Sequence, residues 1–326
     1  MSATTTQPSG SSWTDRQINV TLTLGTGSFG QTGKNTVKLS NLRVVATIKK
    51  GGFPSLDAAN IRVYGIQPSI MNQVSTLGIP ISMVRLGNTV TVEAGNPTDG
   101  FSIAYYGYMH QCWQDFSEVP ETSLQINAFG GYPAALQPAT PRSYPGTADV
   151  ATVMSGLATA MGMQFENNGV QVKLSNGYFP GTALQQAHDI ARAANIELYV
   201  DTSTANGTLA IWPKTGTRGG SIPLISAASG MVGYPKFSSN GMTFRTLYNP
   251  NIRLGAQIQM QSSLTFGVAP TTQTTIGNQP GGPNGVWYIA AGGDGAVSHS
   301  LSAQVPGGPW FTDASCVRVP GTPGTP

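Results

Sequence analysis

Gly233-Tyr234-Pro235, Gly241-Met242-Thr243-Phe244 and Tyr248-Asn249-Pro250-Asn251-Ile252-Arg253-Leu254-Gly255 make up one phrase near the end of the chain. A second runs from Val286-Trp287-Tyr288-Ile289 through His299-Ser300-Leu301 to Pro306-Gly307-Gly308-Pro309-Trp310-Phe311-Thr312. Both set β-branched and aromatic residues between Gly and Pro, which describes short strands closed by fixed turns. Proline sets φ and biases the residue before it away from helix, whereas glycine permits positive φ. Gly233 and Gly307 are expected to use that freedom. Neither phrase offers a nucleophile, a metal-ligand set or a phosphate cradle. Trp310-Phe311, directly after a turn, either plugs the end of a barrel or docks a neighbour.

The alternation extends outward from these phrases. Between residues 14 and 140, Ile18, Val20, Leu22 and Leu24 alternate with Asn19, Thr21 and Thr23, the period of a half-buried strand. Val37 to Ile48 repeats the pattern, as do Asn60-Ile61-Arg62-Val63-Tyr64-Gly65, Asn88 to Ala94, the aromatic run Phe101 to Gln114, and Leu124 to Ala128. A helix over Pro68–Leu77 interrupts them, with Ser69 as its cap and Gly78 as its terminator. This composition describes a small barrel or sandwich.

Residues 141–215 change period. Val150, Val153, Met154, Leu157 and Met161 form the apolar stripe of a helix capped by Thr147 and ended by Gly162. Thr182 caps a second helix, with Leu184, Ala187, Ala191 and Ala194 on one side and its end near Asn195. Ile196–Val200 and Thr208–Trp212 predict a hairpin around Asn206-Gly207. Residues 216–319 return to strands, with a connection at 267–285 that reads as a protruding or contact loop. Residues 1–13 form a flexible arm and 320–326 a Pro/Gly tail.

Composition narrows the function classes. Charged residues make up 10% of the 326, against roughly a quarter in an average soluble protein. A neutral polar surface loses little hydration against a partner, which favours a permanent assembly over a free enzyme. The net charge of +3 comes from scattered Lys and Arg, with Lys49-Lys50 the densest pair, so no basic strip for reading nucleic acid is expected. No apolar run reaches the length of a membrane span, and the Ser/Thr-rich start lacks a signal-peptide pattern. Cys112 and Cys316 are read as two buried free thiols, although a disulfide between them stays open.

Candidate sites are few. Gly25-Thr26-Gly27-Ser28-Phe29-Gly30 matches a dinucleotide fingerprint by letters, but a strand pattern follows where a helix is required, so a hairpin loop is expected. Gly33-Lys34 fails as a phosphate loop, with Asn35 where a magnesium-binding hydroxyl should stand. His110, His188 and His299 lack the spacing of a metal site. Asp115, Glu118 and Glu121 form the one local carboxylate group, and they read as a solvated acidic turn. Ser28 and Ser155 lack the flanks of a nucleophile elbow. The expectation is therefore no catalytic residue, no cofactor and no metal.

The order of a β region, a small α+β region and a second β region resembles the baseplate hub proteins of contractile-tailed bacteriophages, including the hub of the T-even type. The resemblance rests on Asn60-Ile61-Arg62-Val63-Tyr64-Gly65 followed by Met71-Asn72-Gln73-Val74, on the module from Asp149 to Leu198 with Gly177-Tyr178-Phe179-Pro180-Gly181-Thr182-Ala183, and on the two C-terminal phrases. It implies a mainly β fold with a small α+β domain: two tail-tube-like β-barrel domains, 14–140 and 216–319, flanking the α+β insert 141–215. It implies a structural hub, a homotrimeric ring that adapts a six-fold tail tube to a trimeric central spike. Other baseplate subunits would surround it, and phage DNA would pass through its lumen without sequence recognition. Such a protein belongs in the virion baseplate after assembly in the host cytoplasm, with no membrane anchor. The chain carries no muramidase-like segment, so no enzymatic activity is expected. The rival is a tail-associated glycan-binding or cell-wall-degrading protein, which would depend on Asp115 or Glu118.

Overall fold

The computed structural model describes residues 16–30, 33–75, 87–238, 241–263, 283–290, 296–303 and 308–318. The strands of the first region are β1 (Gln17–Thr23), β2 (Thr36–Leu39), β3 (Val44–Lys50), β4 (Ala58–Tyr64), β5 (Thr89–Asn96), β6 (Gly100–Asp115) and β7 (Ser123–Phe129). Period-two patterning explains them. Ile18, Val20 and Leu22 of β1 are buried and lie level with Ala94, Val92 and Val90 of β5, whose side chains are buried as well. The predicted run Val37 to Ile48 is two strands rather than one. Asn41 takes φ 58° between β2 and β3, a backbone turn that an Asn side chain tolerates.

The middle region holds β8 (Arg142–Asp149), β9 (Gln164–Asn167), β10 (Lys173–Phe179), β11 (Ile196–Asp201) and β12 (Thr208–Pro213). The third holds β13 (Leu224–Ile225), β14 (Lys236–Ser238), β15 (Gly241–Leu247), β16 (Gln257–Met260), β17 (Gly285–Tyr288), β18 (Val297–Ser302) and β19 (Trp310–Arg318).

The two outer regions share one 14-stranded sheet. Its order is β13-β16-β17-β19-β18-β3-β4-β7-β6-β5-β1-β2, with β14 and β15 branching from β19. The join is the antiparallel pairing of β18 with β3, which sets His299 opposite Ile48 and Leu301 opposite Ala46. The expected pair of closed barrels is not found: no sheet closes among the described residues. Backbone pairing across β18–β3 instead satisfies strand edges that separate barrels would have closed on themselves.

Four α-helices accompany the strands among the described residues: α1 (Pro68–Val74), α2 (Tyr132–Leu136), α3 (Val150–Ala160) and α4 (Ala183–Ala194). The cap of α1 is Gln67, without a side-chain bond, and not Ser69. Pro68 already occupies the first helical position, where its fixed φ suits the start of a helix. Leu77 and Gly78 lie outside the described residues. For α3 the cap is Asp149, whose carboxylate accepts from the Thr152 amide at 2.9 Å, while Thr147 sits within β8. Gly162, at φ 72°, ends that helix as expected. Thr182 caps α4 and Asn195 closes it in the left-handed conformation, both as the sequence indicates. The hairpin of β11 and β12 also matches, with Asn206 and Gly207 at positive φ.

Three cores result. One holds the first region together with Leu301 and Trp310 from the third. Another holds the third region together with Tyr199, Ala210 and Trp212 from the middle one. The last packs α3 and α4 onto β11 and β12.

Candidate functional site

The densest polar chemistry lies where the three regions meet. Asp57, just before β4, is 3% exposed. Its carboxylate accepts from Tyr199 OH and Thr202 Oγ1, each at 2.6 Å, and from the Gly51 amide at 3.2 Å. Lys50, at the end of β3, donates from Nζ to Ser203 Oγ. The Tyr106 amide donates to the Thr202 carbonyl at 2.7 Å, tying β6 to the middle region as well.

Arg218 closes the other side of the joint. Its Nε and Nη2 grip Glu166 of β9 at 2.8 and 2.6 Å, and its Nη1 donates to Asp201 of β11 at 2.7 Å. Arg253, from the third region, adds bonds to Glu166 at 3.1 Å and Asp201 at 3.2 Å. Three cations thus face three carboxylates across segments far apart in sequence. Below them Trp212 of β12 enters the third core and donates from Nε1 to Tyr288 OH at 3.2 Å. Gly255, at φ 80°, lets the chain pass that indole; an added Cβ would lie 2.5 Å from it.

Burial and partner charge compete at this joint. Burial pushes the Asp57 carboxyl up to about 7, against the pull of Lys50 and its hydroxyl donors. It pushes Glu166 up too, but Arg218's hydrogen bonds and charge win and hold that carboxyl at about 2. Asp201 is held well below the carboxylate range in the same way, with Arg218 overcoming burial. Burial lowers Lys50. An ion cluster that is bonded within itself fixes the geometry of the segments it joins.

The residues flagged from sequence do not converge. Asp115 caps its own turn, accepting from the Ser117 amide at 3.0 Å and hydroxyl at 2.6 Å, and those bonds lower its pKa. Glu118 pairs with Arg62 at 3.4 Å and Glu121 with Arg43 at 2.7 Å, all on the surface. A glycosidase acid would need burial that raises its pKa, and Asp115 shows the opposite. His110 stands edge-on to Phe129 and Tyr132. His188 stacks on Phe53 at 3.7 Å, where burial lowers it to about 4. His299 is buried and within 3.0 Å of Thr312 Oγ1. No three His, Cys, Asp or Glu come together as metal ligands among the described residues.

Cys112 and Cys316 are buried in separate cores and form no disulfide. The glycine run at 25–30 is the turn of a hairpin: the Leu24 amide donates to Asn35 and the Phe29 amide to Lys34. Gly233 has φ 74°, as expected, while Gly307 lies outside the described residues. Trp310 is buried in the first core against Tyr248, and no barrel closes among the described residues for it to plug. Phe311 is half-buried beneath Arg245. The contact loop expected at 267–285 lies almost wholly outside the described residues. No helix of the described residues is long and apolar enough to cross a membrane.

Sequence reasoning missed the joint itself. Lys50 stood out only as half of a basic pair, and Asp57, Asp201 and Arg218 carry no local motif. Their meaning comes from strands brought together over distances such as the 145 residues between Asp57 and Thr202.

Comparisons with known proteins give a family match and a shared fold. The family model of the baseplate hub gp41 matches residues 17–271. The fold is similar to that of the 43 kDa tail protein of prophage MuSo2 from Shewanella oneidensis, with a TM-score of 0.54 and 10% identity over 92% of this chain and 96% of that one. A tail protein from Neisseria meningitidis MC58 gives the same values. The E. coli c3393 protein, a component of the type VI secretion system with structural similarity to T4 bacteriophage tail proteins gp27 and gp5, has a TM-score of 0.54 and 10% identity over 91% of this chain and 76% of that one. No curated protein matches the sequence.

Proposed function

The chain belongs to the baseplate hub gp41 family, and from that membership we propose that it is a structural subunit forming a homotrimeric ring in the tail baseplate. Its two β regions act as neighbouring wall segments, so three copies supply six around the axis. The ring thereby joins a six-fold tail tube to a three-fold central spike, in contact with other baseplate subunits. Phage DNA passes through its lumen without sequence recognition. The protein has no enzymatic activity, is assembled in the host cytoplasm and remains in the virion baseplate.

The observation that carries this reading is the continuous sheet that runs from one β region into the other through β18 and β3. The buried joint ties the third region to the middle one through Arg218 and Arg253, and the first region to it through Lys50 and Asp57. A wall segment must keep its shape under load, and a self-satisfied buried network favours one arrangement over others. Five arginines also fit passive DNA passage: Arg43, Arg62, Arg218, Arg245 and Arg253 each pair with a carboxylate, which leaves them poorly placed to hold phosphates.

Light scattering and negative-stain imaging of the purified protein test the reading. A mass of three chains and a ring with a central hole are expected. A single-copy particle at every concentration would overturn it. Clearing of cell-wall suspensions, lost on neutralising Asp115 or Glu118, would favour the enzymatic rival instead.

A further inference from the structure

Two surface features sit at opposite ends of the shared sheet. The first is the tip of the β6–β7 hairpin. There Trp113, Phe116 and Val119 leave 40%, 56% and 71% of their surface exposed. Exposed apolar side chains grouped this way mark a docking surface more than scattered ones do. The tip carries Asp115, Glu118 and Glu121, against the two paired arginines Arg62 and Arg43, so one negative charge is in excess.

The second feature is an open groove of about 490 Å³ along β14, β15 and β19. Its lining includes Val232, Tyr234, Lys236, Phe244, Arg245 and Asp313. Val232 and Tyr234 are 40% and 41% exposed. The volume lies within the roughly 300–1,000 Å³ of pockets that bury a ligand. Lys236 and Arg245 face the single carboxylate Asp313, so one positive charge is in excess here.

Strand register places the two apart. Tyr64 lies opposite Ser123 at the tip end of the sheet, and that end also holds Val45 opposite Ser302. At the far end Phe129 lies opposite Ala58, and Val297 lies opposite both Lys50 and Ala314. Ala314, with Asp313 and Ser315 beside it, lines the groove. An apolar, net-negative knob and a net-positive groove at opposite ends of one rigid sheet fit a head-to-tail contact between identical chains.

We propose that the β6–β7 tip of one copy seats in the β14–β15–β19 groove of the next. Phe116 and Val119 lie against Val232 and Tyr234, and Glu118 faces Lys236. This rests on the hub-ring reading and names the contact that builds it. A second copy is the occupant because each chain carries both complementary halves in equal number and too far apart to satisfy each other.

Cysteine pairing tests it, since the native thiols Cys112 and Cys316 are buried. Val119→Cys protein mixed with Tyr234→Cys protein under mild oxidation should give a disulfide-linked dimer well above the yield of either alone. Phe116→Ala should raise the concentration for half-assembly by about tenfold or more, as loss of a buried interface aromatic does. Glu118→Lys and Lys236→Glu should each weaken assembly, and the two together in one chain should restore it, which misfolding would not do. A wild-type trimer without the mixed cross-link, and with the Phe116→Ala protein assembling normally, would overturn the contact and leave the ring reading intact. A wild-type protein that stays single-copy would overturn both.

Discussion

The first and third β regions share the alternating pattern of strands, yet they are built differently. In the first, the hydrophobic core comes from its own strands, with Leu301 and Trp310 of the third region added at one side. In the third, the core is completed by Tyr199, Ala210 and Trp212 of the middle region. Each core borrows an indole, Trp310 in the first and Trp212 in the third, but Trp212 is fully buried and comes with Tyr199 and Ala210, so the third core loses more with its neighbour. The third region is therefore expected to be the one whose integrity depends on the joint.

Arg218→Met attacks that dependence hardest. It strands Asp201 and Glu166 without their main cation, a change that costs about 3–5 kcal/mol when a buried pair loses one partner. Hydrogen exchange should show the third and middle regions opening early while β1, β5 and β6 stay protected. Equal loss of protection in the first region would break the comparison.

Asp57 gives a pH-dependent version of the same test. Its carboxyl is raised by burial, to about 7. The folded protein therefore holds a proton that the unfolded chain gives up near pH 4. The stabilisation is complete below that pH and is lost as pH rises through about 7. Stability should fall as pH rises from about 4 to 7, by an amount on the order of a few kcal/mol, and Asp57→Asn should flatten that window. A midpoint unchanged across it in the wild type would remove Asp57 from the coupling of the first region to the middle one.

Gly233→Val probes the turns of the third region. The left-handed conformation at φ 74° costs a branched residue about 1–2 kcal/mol, read as a lower melting temperature. No clash adds to it, because nothing lies within 4 Å of the added Cβ. An unchanged melting temperature would mean the loop relaxes without affecting the strands. Arg245→Ala is the mildest test. Its pair with Asp313 is 2.7 Å long but half-exposed, and such pairs contribute about 0–1 kcal/mol. A larger loss in the assembled form than in the monomer would point to a role for the groove in packing between copies.

Local chemistry made much of this molecule readable before any coordinates. Ile18, Val20 and Leu22 alternate because a strand buries every second residue, and Thr182 caps a helix because its hydroxyl reaches a free amide three residues on. Thr147 was the wrong cap because Asp149, two residues later, offers a carboxylate at the right offset once β8 has taken Thr147 into its ladder. Cys112 and Cys316 also read correctly as buried thiols, since each lies on the inner face of its strand.

Strand identity, helix stripes and the turns at Asn206-Gly207 and Gly233 depend on residues within a few positions of one another, so the chain's own order settles them. The single sheet, the joint of Lys50, Asp57, Asp201 and Arg218, and the placing of knob and groove at opposite ends depend on which strands meet. Alternation says that a strand has an inner face, but it does not say whose edge it will pair with. Only the packed structure could choose β18 against β3 over closure of each region on itself, and that choice brings the charges together.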